Sequence, residues 1–390
     1  MAGIYIHIPF CSQFCTYCDF YSVKAGKRVS KFTEALLLES GTRSCFFNGI
    51  SDRNNTLYFG GGTPSLISPE DIAEIAHIVC SDNGLGNVGD LDEFTVEVNP
   101  DDVTEEYLRG LYHAGVRRLS MGIQSFKDTH LKWMNRRHTS DAAVKAYNIA
   151  REVGFDNISI DLIFGFDRLS AEDWSDNLKT AISLRPDHIS SYQLSIEPGT
   201  KLGADYEKGD YKPLEDDVSH FQYSTLQTTL AEAGYVQYEV SSFALKGREA
   251  KHNSSYWNHT PYLGLGPAAH SFDGVRRYAN RPSLGAYIKR YSAEGIALSL
   301  TQGYREGYIT TEVLTENDLF NESLMLSLRR VEGLNLTVLL DKFKSVDRDS
   351  FLNEINFLVE KGELQRDGGN IKIPSGKLFL SDGIIRVLFR

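Results

Sequence analysis

Six short, largely apolar runs at residues 4–8, 56–59, 94–98, 117–122, 158–164 and 188–194 constrain this chain more than any other feature. Helical patterns lie between them. Ser68-Pro69-Glu70-Asp71 has the N-cap, first-turn proline and acids that open a helix. A second helix is predicted from about Thr104 to a stop at Gly115. Ser170 and Asp173 read as a capping box ahead of Trp174, Leu178 and Ile182. Apolar strands alternating with amphipathic helices predict a parallel sheet covered by helices. Six such units fit an α/β fold, a partial (β/α)6 TIM-like barrel. A doubly wound open sheet is the alternative. In both, functional groups gather where strands end and loops begin.

The ends of these runs carry glycines or polar groups. Gly60-Gly61-Gly62 lets backbone approach a ligand without an intervening side chain, although a tight strand-to-helix turn would use the same residues. Glu97 and Asp161 sit inside otherwise apolar strands, where an unpaired carboxylate is costly. Gln124 ends another strand. One such residue is ordinary packing, but four successive strands ending this way point to a site.

Three of the five cysteines fall in one run, Cys11-Ser12-Gln13-Phe14-Cys15-Thr16-Tyr17-Cys18, with C-x3-C-x2-C spacing. Pro9 stops the strand before it, so the thiols lie on a loop at a strand's C-terminal end. Such a loop can point three thiolates at one centre, as iron–sulfur ligation requires. Zinc would want a fourth Cys or His, and Asp19-Phe20-Tyr21-Ser22 supplies none. Three ligands on a four-iron cluster leave one iron open to a small chelating molecule. Cys45 and Cys80 stand alone in helix-like segments and are expected as buried core thiols. An odd cysteine total is poor arithmetic for a disulfide framework.

Lys and Arg total 41 against 52 Asp and Glu, a net charge of −11, so the chain lacks an overall positive field for nucleic acid. No apolar run approaches the ~20 residues that cross a bilayer. Residues 4–8 begin without the segments of a signal peptide, so a cytoplasmic protein is expected.

The C-x3-C-x2-C run after a first strand, with aromatic Tyr17 before its third cysteine, resembles the radical S-adenosylmethionine (SAM) proteins. Their open iron takes the amino and carboxylate groups of SAM, and their usual scaffold is the partial barrel. Further blocks resemble the branch related to oxygen-independent coproporphyrinogen III oxidase. They are Tyr5-Ile6-His7-Ile8-Pro9-Phe10-Cys11, Gly60-Gly61-Gly62-Thr63-Pro64-Ser65 and Ser120-Met121-Gly122-Ile123-Gln124-Ser125-Phe126. Asn135-Arg136-Arg137-His138, Ile160-Asp161-Leu162-Ile163-Phe164-Gly165 and Leu263-Gly264-Leu265-Gly266-Pro267-Ala268-Ala269-His270-Ser271 complete them. The resemblance runs from about residue 4 to 275 and continues more weakly beyond. It implies that Cys11, Cys15 and Cys18 hold a [4Fe-4S] cluster with SAM beside Tyr5. Gly61, Gly62 and Thr63 would line the methionine moiety, with Glu97 facing the same ligand. The positions matching a second SAM of the oxidase are Tyr17, Gln124, Arg136, Asp161, Gln193 and His270.

Two departures separate the chain from the oxidase. Phe20 stands where the oxidase has a fourth cysteine, and Met1 lies only ten residues before Cys11, whereas the oxidase begins with a long N-terminal segment. Cys-Asp-Phe with a short N-terminus resembles the sister group, the HemW-type haem chaperones. His252-Asn253-Ser254-Ser255-Tyr256-Trp257 resembles their HNxxYW block, implicated in haem binding. An imidazole is a common axial haem ligand and the two aromatics offer flat faces for a porphyrin, though the stretch also suits an ordinary loop. His7, His259 and His270 are other candidate ligands. The resemblance therefore implies a chaperone that binds haem and transfers it to acceptor apo-proteins, respiratory or membrane-associated ones among them. The alternatives are coproporphyrinogen decarboxylation through a 5′-deoxyadenosyl radical and a related radical SAM methyltransferase.

Residues 1–275 read as the barrel with its extension, 276–314 as a connecting segment and 315–390 as a second domain. The last has three predicted helices, at 317–328, 335–343 and 351–359, and a hairpin around Gly368-Gly369, a winged-helix-like pattern. Its 11 Lys and Arg against 12 Asp and Glu give no basic field for DNA, so docking on the barrel is expected instead.

Overall fold

The computed structural model describes residues 3–26, 28–50, 55–302 and 307–390. Six parallel strands follow in chain order: β1 (Gly3–Ile8), β2 (Thr56–Gly61), β3 (Glu93–Val98), β4 (Arg118–Gln124), β5 (Ile158–Phe164) and β6 (His188–Gln193). β7 (Val236–Glu239) and β8 (Ser242–Ala244) extend the β6 edge in antiparallel fashion. On the other edge β9 (Tyr262–Leu265) runs parallel to β1. Antiparallel β10 (His270–Phe272), β11 (Arg276–Asn280) and β12 (Ile309–Val313) follow it. The sequence pattern predicted the six central strands and missed this seventh parallel one. The stretch 276–314, expected as a connection, supplies the two outermost strands on this side.

Register explains the composition of the strands. Ile4, Ile6, Ile8, Leu57, Phe59, Phe94, Val96, Val98, Leu119, Met121, Ile158, Ile160, Leu162 and Ile189 share one parity and are buried in one apolar core. The other parity reads Gly3-Tyr5-His7, Thr56-Tyr58-Gly60, Glu93-Thr95-Glu97, Arg118-Ser120-Gly122, Ser159-Asp161-Ile163 and His188-Ser190-Tyr192. These rows neighbour one another through the strand pairing. The strands are thus apolar outwards and polar inwards rather than apolar on both faces. Glu97 and Asp161 belong to an entire polar face.

The apolar face is covered by α1 (Val29–Arg43), α2 (Pro69–Asp82), α3 (Glu105–His113), α4 (Asp128–Trp133), α5 (Ser140–Val153) and α6 (Ala171–Leu184). In α2, Ser68 caps the Asp71 amide at 3.1 Å, and Ile72, Ile75, Ala76, Val79 and Cys80 form the buried stripe. In α6, Trp174, Asn177, Leu178 and Ala181 are buried and Ile182 lies at the margin, so the inward face is rotated from the predicted one. Cys80 is fully buried as expected, but Cys45 is exposed. α1 ends at Arg43, and in the turn beyond it Phe47 takes the core position.

Further along come α7 (Lys201–Glu207), α8 (Asp216–Glu232), α9 (Lys251–Trp257), α10 (Leu284–Arg290) and α11 (Ala293–Gln302). The C-terminal helices are α12 (Glu316–Leu328), α13 (Leu336–Lys342), α14 (Arg348–Glu360) and α15 (Ser381–Arg386). A hairpin of Gln365–Asp367 and Asn370–Lys372 lies beside α14 in sequence, and the short strand Leu334–Asn335 adds to it. The fourth helix was not predicted. This region docks on the barrel. The Val240 amide donates to the Arg329 carbonyl at 3.0 Å, the Val331 amide to that of Tyr238 at 3.1 Å, and α12 packs on α9. Among the described residues, no helix is long and apolar enough to cross a membrane.

A buried carboxylate ties the two ends of the sheet region together. Glu39 in α1 accepts from the Gly266 amide (2.8 Å), Asn280 Nδ2 (2.7 Å) and the Tyr287 hydroxyl (2.8 Å). Burial pushes its carboxyl up, and Arg43 with these donors opposes that. Glu39→Ala would leave the donors buried and unpaired, so a loss of about 3 kcal/mol in unfolding free energy is expected. Urea denaturation monitored by circular dichroism measures it; an unchanged midpoint would refute the role given to Glu39.

Candidate functional site

The cysteine run leaves β1 and is pinned at both ends. A short parallel pair, Phe10–Cys11 with Val23–Lys24, closes its base. Thr16 donates its amide to the Met134 carbonyl (3.1 Å) and accepts from the Leu202 amide (2.8 Å). Asn135, in the left-handed backbone region at φ 58°, donates from Nδ2 to the Phe14 carbonyl at 2.7 Å. It accepts from Gln13 Nε2 on both its carbonyl and its side-chain oxygen. Asn135 lies in one of the resembling sequence blocks without a role assigned to it there; its positive φ, uncommon for a non-glycine residue, is visible only in the fold.

Cys11, Cys15 and Cys18 carry free thiols. Thr63 Oγ1 donates to Cys11 Sγ and Arg136 Nη1 to Cys15 Sγ, each at 3.5 Å. Burial pushes the Cys18 thiol up to about 11, with Cys15 and Cys11 adding to the effect against the Phe20 amide. No three His, Cys, Asp or Glu side chains among the described residues converge on a single-ion site. A four-iron cluster takes each thiolate at a separate iron, and donors to the sulfurs are what such ligation uses.

Opposite the loop lies the β2 exit. Gly61 has φ +106°, and a Cβ there would sit 2.6 Å from the His7 ring. A Cβ on Gly62 would lie 2.7 Å from the Phe10 carbonyl oxygen. The glycines therefore let the turn lie directly against the start of the cysteine loop. Glu97 accepts from the Tyr58 hydroxyl at 2.8 Å and the Gly61 amide at 3.2 Å. Burial nevertheless pushes its carboxyl up to about 7, aided by Asp161 and opposed by those donors and Arg118. Asp161 is pushed up to about 6 by burial, against Arg118, Ser190 and Ser120. Tyr5 packs on Tyr58 with ring centroids 6.0 Å apart.

A second group gathers over Gly122. A Cβ there would meet Gln124 Nε2 at 3.1 Å and Arg136 Nη2 at 3.3 Å. Arg136 also donates to Asn99 Oδ1 at 2.8 Å and to the Gly122 carbonyl, while its buried Nε has no partner. Gln124 is left-handed at φ 69°, where the pairing of β4 with β5 shifts register. The Tyr17 phenol is pushed up by burial, with Arg136 opposing. Gln193 packs over Gly165, whose Cβ would lie 2.7 Å from its Cγ. Gln124, Arg136, Tyr17 and Cys15 are thus brought together. His270 lies apart, exposed on the other side of β1.

The barrel interior is closed below by α9. Its first amides, of Lys251 and His252, donate to Glu93 at 2.8 and 3.3 Å. The His252 ring stacks on Tyr58, and its nitrogens bond Thr56 Oγ1 and the Tyr256 hydroxyl, each at 2.8 Å. Burial, then Arg118, lowers its pKa to about 3, so it is a neutral floor residue. Above it opens a cavity of about 780 Å³, reached by Tyr5, Gly61 and Glu97 on one wall and Tyr256 and His270 on another. Asp19 and Phe20 stand at the cysteine-loop end and Leu326 of α12 at the other. Trp257, Gly62, Thr63 and Asp161 do not line it.

These residues suit an iron–sulfur cluster with SAM. Cys11, Cys15 and Cys18 would hold it, Gly61 and Glu97 would face the amino-acid end of SAM, and the bound pair supplies one-electron chemistry. Anaerobic reconstitution should give about four iron and four sulfide per chain. Cys15→Ala should remove them, and unchanged iron content would refute the ligand set. Glu97 binds SAM best when ionised, as the acceptor for an N–H of its iron-bound amine, while the sulfonium carries the positive charge. SAM affinity measured by calorimetry should therefore rise with pH until it flattens above about 7, and Glu97→Gln should abolish the slope. A slope that survives this substitution would assign the titration elsewhere.

The sequence profile of the Radical SAM superfamily matches residues 5–181. A Bacillus subtilis protein named Heme chaperone HemW is 34% identical over 382 residues, 97% of each chain. Its Lactococcus lactis namesake is 30% identical over 381 residues, 97% of this chain and 95% of the relative. Coproporphyrinogen III oxidase (HemN) of Escherichia coli, a radical SAM enzyme, superposes with a TM-score of 0.80 over the whole of this chain and 90% of its own. At 21% identity that likeness is one of fold. The match to the Radical SAM superfamily implies a [4Fe-4S] cluster and SAM as cofactors. The chain belongs to the radical SAM superfamily and, within it, to the family that contains the HemW proteins.

Proposed function

We propose that this protein is a haem chaperone: it binds haem in the cavity beside its cysteine loop and passes it to apo-proteins in the cytoplasm or at a membrane face. The observation that carries this reading is the cavity wall. Tyr5, Tyr21, Tyr256 and Tyr262, with the buried rings of Tyr58 and Phe272 behind them, surround about 780 Å³, a size and character suited to a planar apolar ligand. Phe20, at the position of the oxidase's fourth cysteine, is 61% exposed at the cavity edge and gives an apolar contact there. Both nitrogens of His7 are bonded, to the Tyr5 hydroxyl and the Tyr21 carbonyl, and both of His252 are bonded as well. His270 has no side-chain hydrogen bond among the described residues and faces the cavity, so we assign it as the iron ligand. His252 and Tyr256 then retain haem by shaping the floor.

The test is a side-by-side assay on anaerobically reconstituted protein. Stoichiometric haem uptake, transfer to an apo-protein and no turnover of coproporphyrinogen III are expected. Conversion to protoporphyrinogen IX would establish the oxidase instead, and methyl transfer from labelled SAM a methyltransferase. His270→Ala should alter the haem absorption bands, whereas His252→Ala should chiefly lower the melting temperature. The reverse pattern would move the ligand to His252.

A further inference from the structure

Glu322, in α12 of the C-terminal domain, is held at the cavity wall by two basic side chains. Its Oε2 pairs with His259 Nε2 at 3.0 Å and its Oε1 with Arg277 Nη2 at 2.8 Å. Both partners line the cavity, and so does Leu326, one turn along the same helix. The Glu322 side chain is only 15% exposed and that of His259 12%, against 35% for Arg277. Arg277 sits in β11 between β10 and β12, with its backbone fixed on both sides. His259 occupies the left-handed region at φ 54°, and its ring stacks on Phe272 at 4.6 Å and 12°. Two basic groups are thus rigidly aimed at one point, and a carboxylate from another domain fills it.

We propose that Arg277 and His259 form a carboxylate-recognition site of the cavity, which Glu322 occupies until a carboxylate of the cargo takes its place. This rests on the haem reading, which makes that carboxylate a porphyrin propionate. A guanidinium fork suits a carboxylate in two-pronged geometry. Exchanging one carboxylate for another conserves the ion pairing, so the exchange is nearly balanced electrostatically. Its mechanical effect is larger. α12 loses its tie to β11 and to the turn after α9, while the Val240–Arg329 and Val331–Tyr238 backbone bonds still hold its far end. Loading the cavity therefore loosens one end of the C-terminal domain.

The experiment uses full-length, cluster-reconstituted protein and two probes, haem and haem dimethyl ester, which keeps ring and iron but lacks the carboxylates. Wild type should prefer haem to the ester. Glu322→Gln removes the internal competitor and should raise haem affinity about fivefold while leaving ester affinity unchanged. Arg277→Gln should cost about tenfold for haem and little for the ester. Hydrogen exchange over residues 316–328 should speed up on adding haem but not the ester. If wild type binds neither probe, the haem reading fails and this inference with it. If wild type binds haem but shows no preference over the ester, or Glu322→Gln raises both affinities alike or neither, the inference alone is overturned. Should Arg277→Gln fail to fold, the Glu322→Gln titration and the exchange measurement still decide.

Discussion

The strand register from β1 to β6 is the constraint on which the rest depends. With a side-chain period of two, pairing Gly3 with Thr56 and Thr56 with Glu93 commits one parity of both neighbours to the barrel interior. The same commitment passes through Thr95–Arg118, Ser120–Ser159 and Ser159–His188. A slip of one residue would send isoleucines and valines inwards and carry Glu97 and Asp161 into the apolar layer beneath the helices. The outer parity is so uniformly apolar that such a slip is strongly disfavoured. Site geometry and core packing are two faces of one choice.

That choice creates an interior in which buried carboxylates and cations lie close together. Arg118 is 2% exposed, with Glu93 at 4.0 Å, and it influences Glu97, Asp161 and His252 alike. Burial raises both carboxyls and holds His252 neutral, so the interior is poised near neutral pH rather than locked in one charge state. A cationic cofactor entering beside Glu97 would meet a group ready to ionise. α9 completes this arrangement by aiming its first amides at Glu93, using backbone donors that would otherwise lack partners.

The sequence made the six central strands, the capped helices α2 and α6 and the three clustered cysteines legible, because each depends on short-range pattern. It did not reveal β9, since four residues from Tyr262 to Leu265 give too brief a period to stand out. Nor did it reveal the parity rule, because tyrosine, threonine and serine blend into an apolar run when read along the chain. Cys45 misled because a small thiol in a helix-like segment resembles a core residue, while the helix in fact ends two residues earlier. The roles of Asn135 and Glu39 rest on partners more than a hundred residues away, which no local pattern records. His252 was legible as part of a block but not as a floor residue, since its two bonds become visible only once Thr56 and Tyr256 are placed around it.

The position of β1 bears on how the chain is made. It is an inner strand, and one of its two neighbours, β9, leaves the ribosome long after it. Pairings of such high sequence separation form late, because loop closure must precede any contact. During synthesis the cysteine run therefore hangs from a strand with one open edge, without Glu39's link from α1 to Gly266. The loop's own anchors, at Met134, Asn135 and Leu202, emerge well before β9, so the cysteine run can be fastened at its far end while the strand it hangs from is still open on one side.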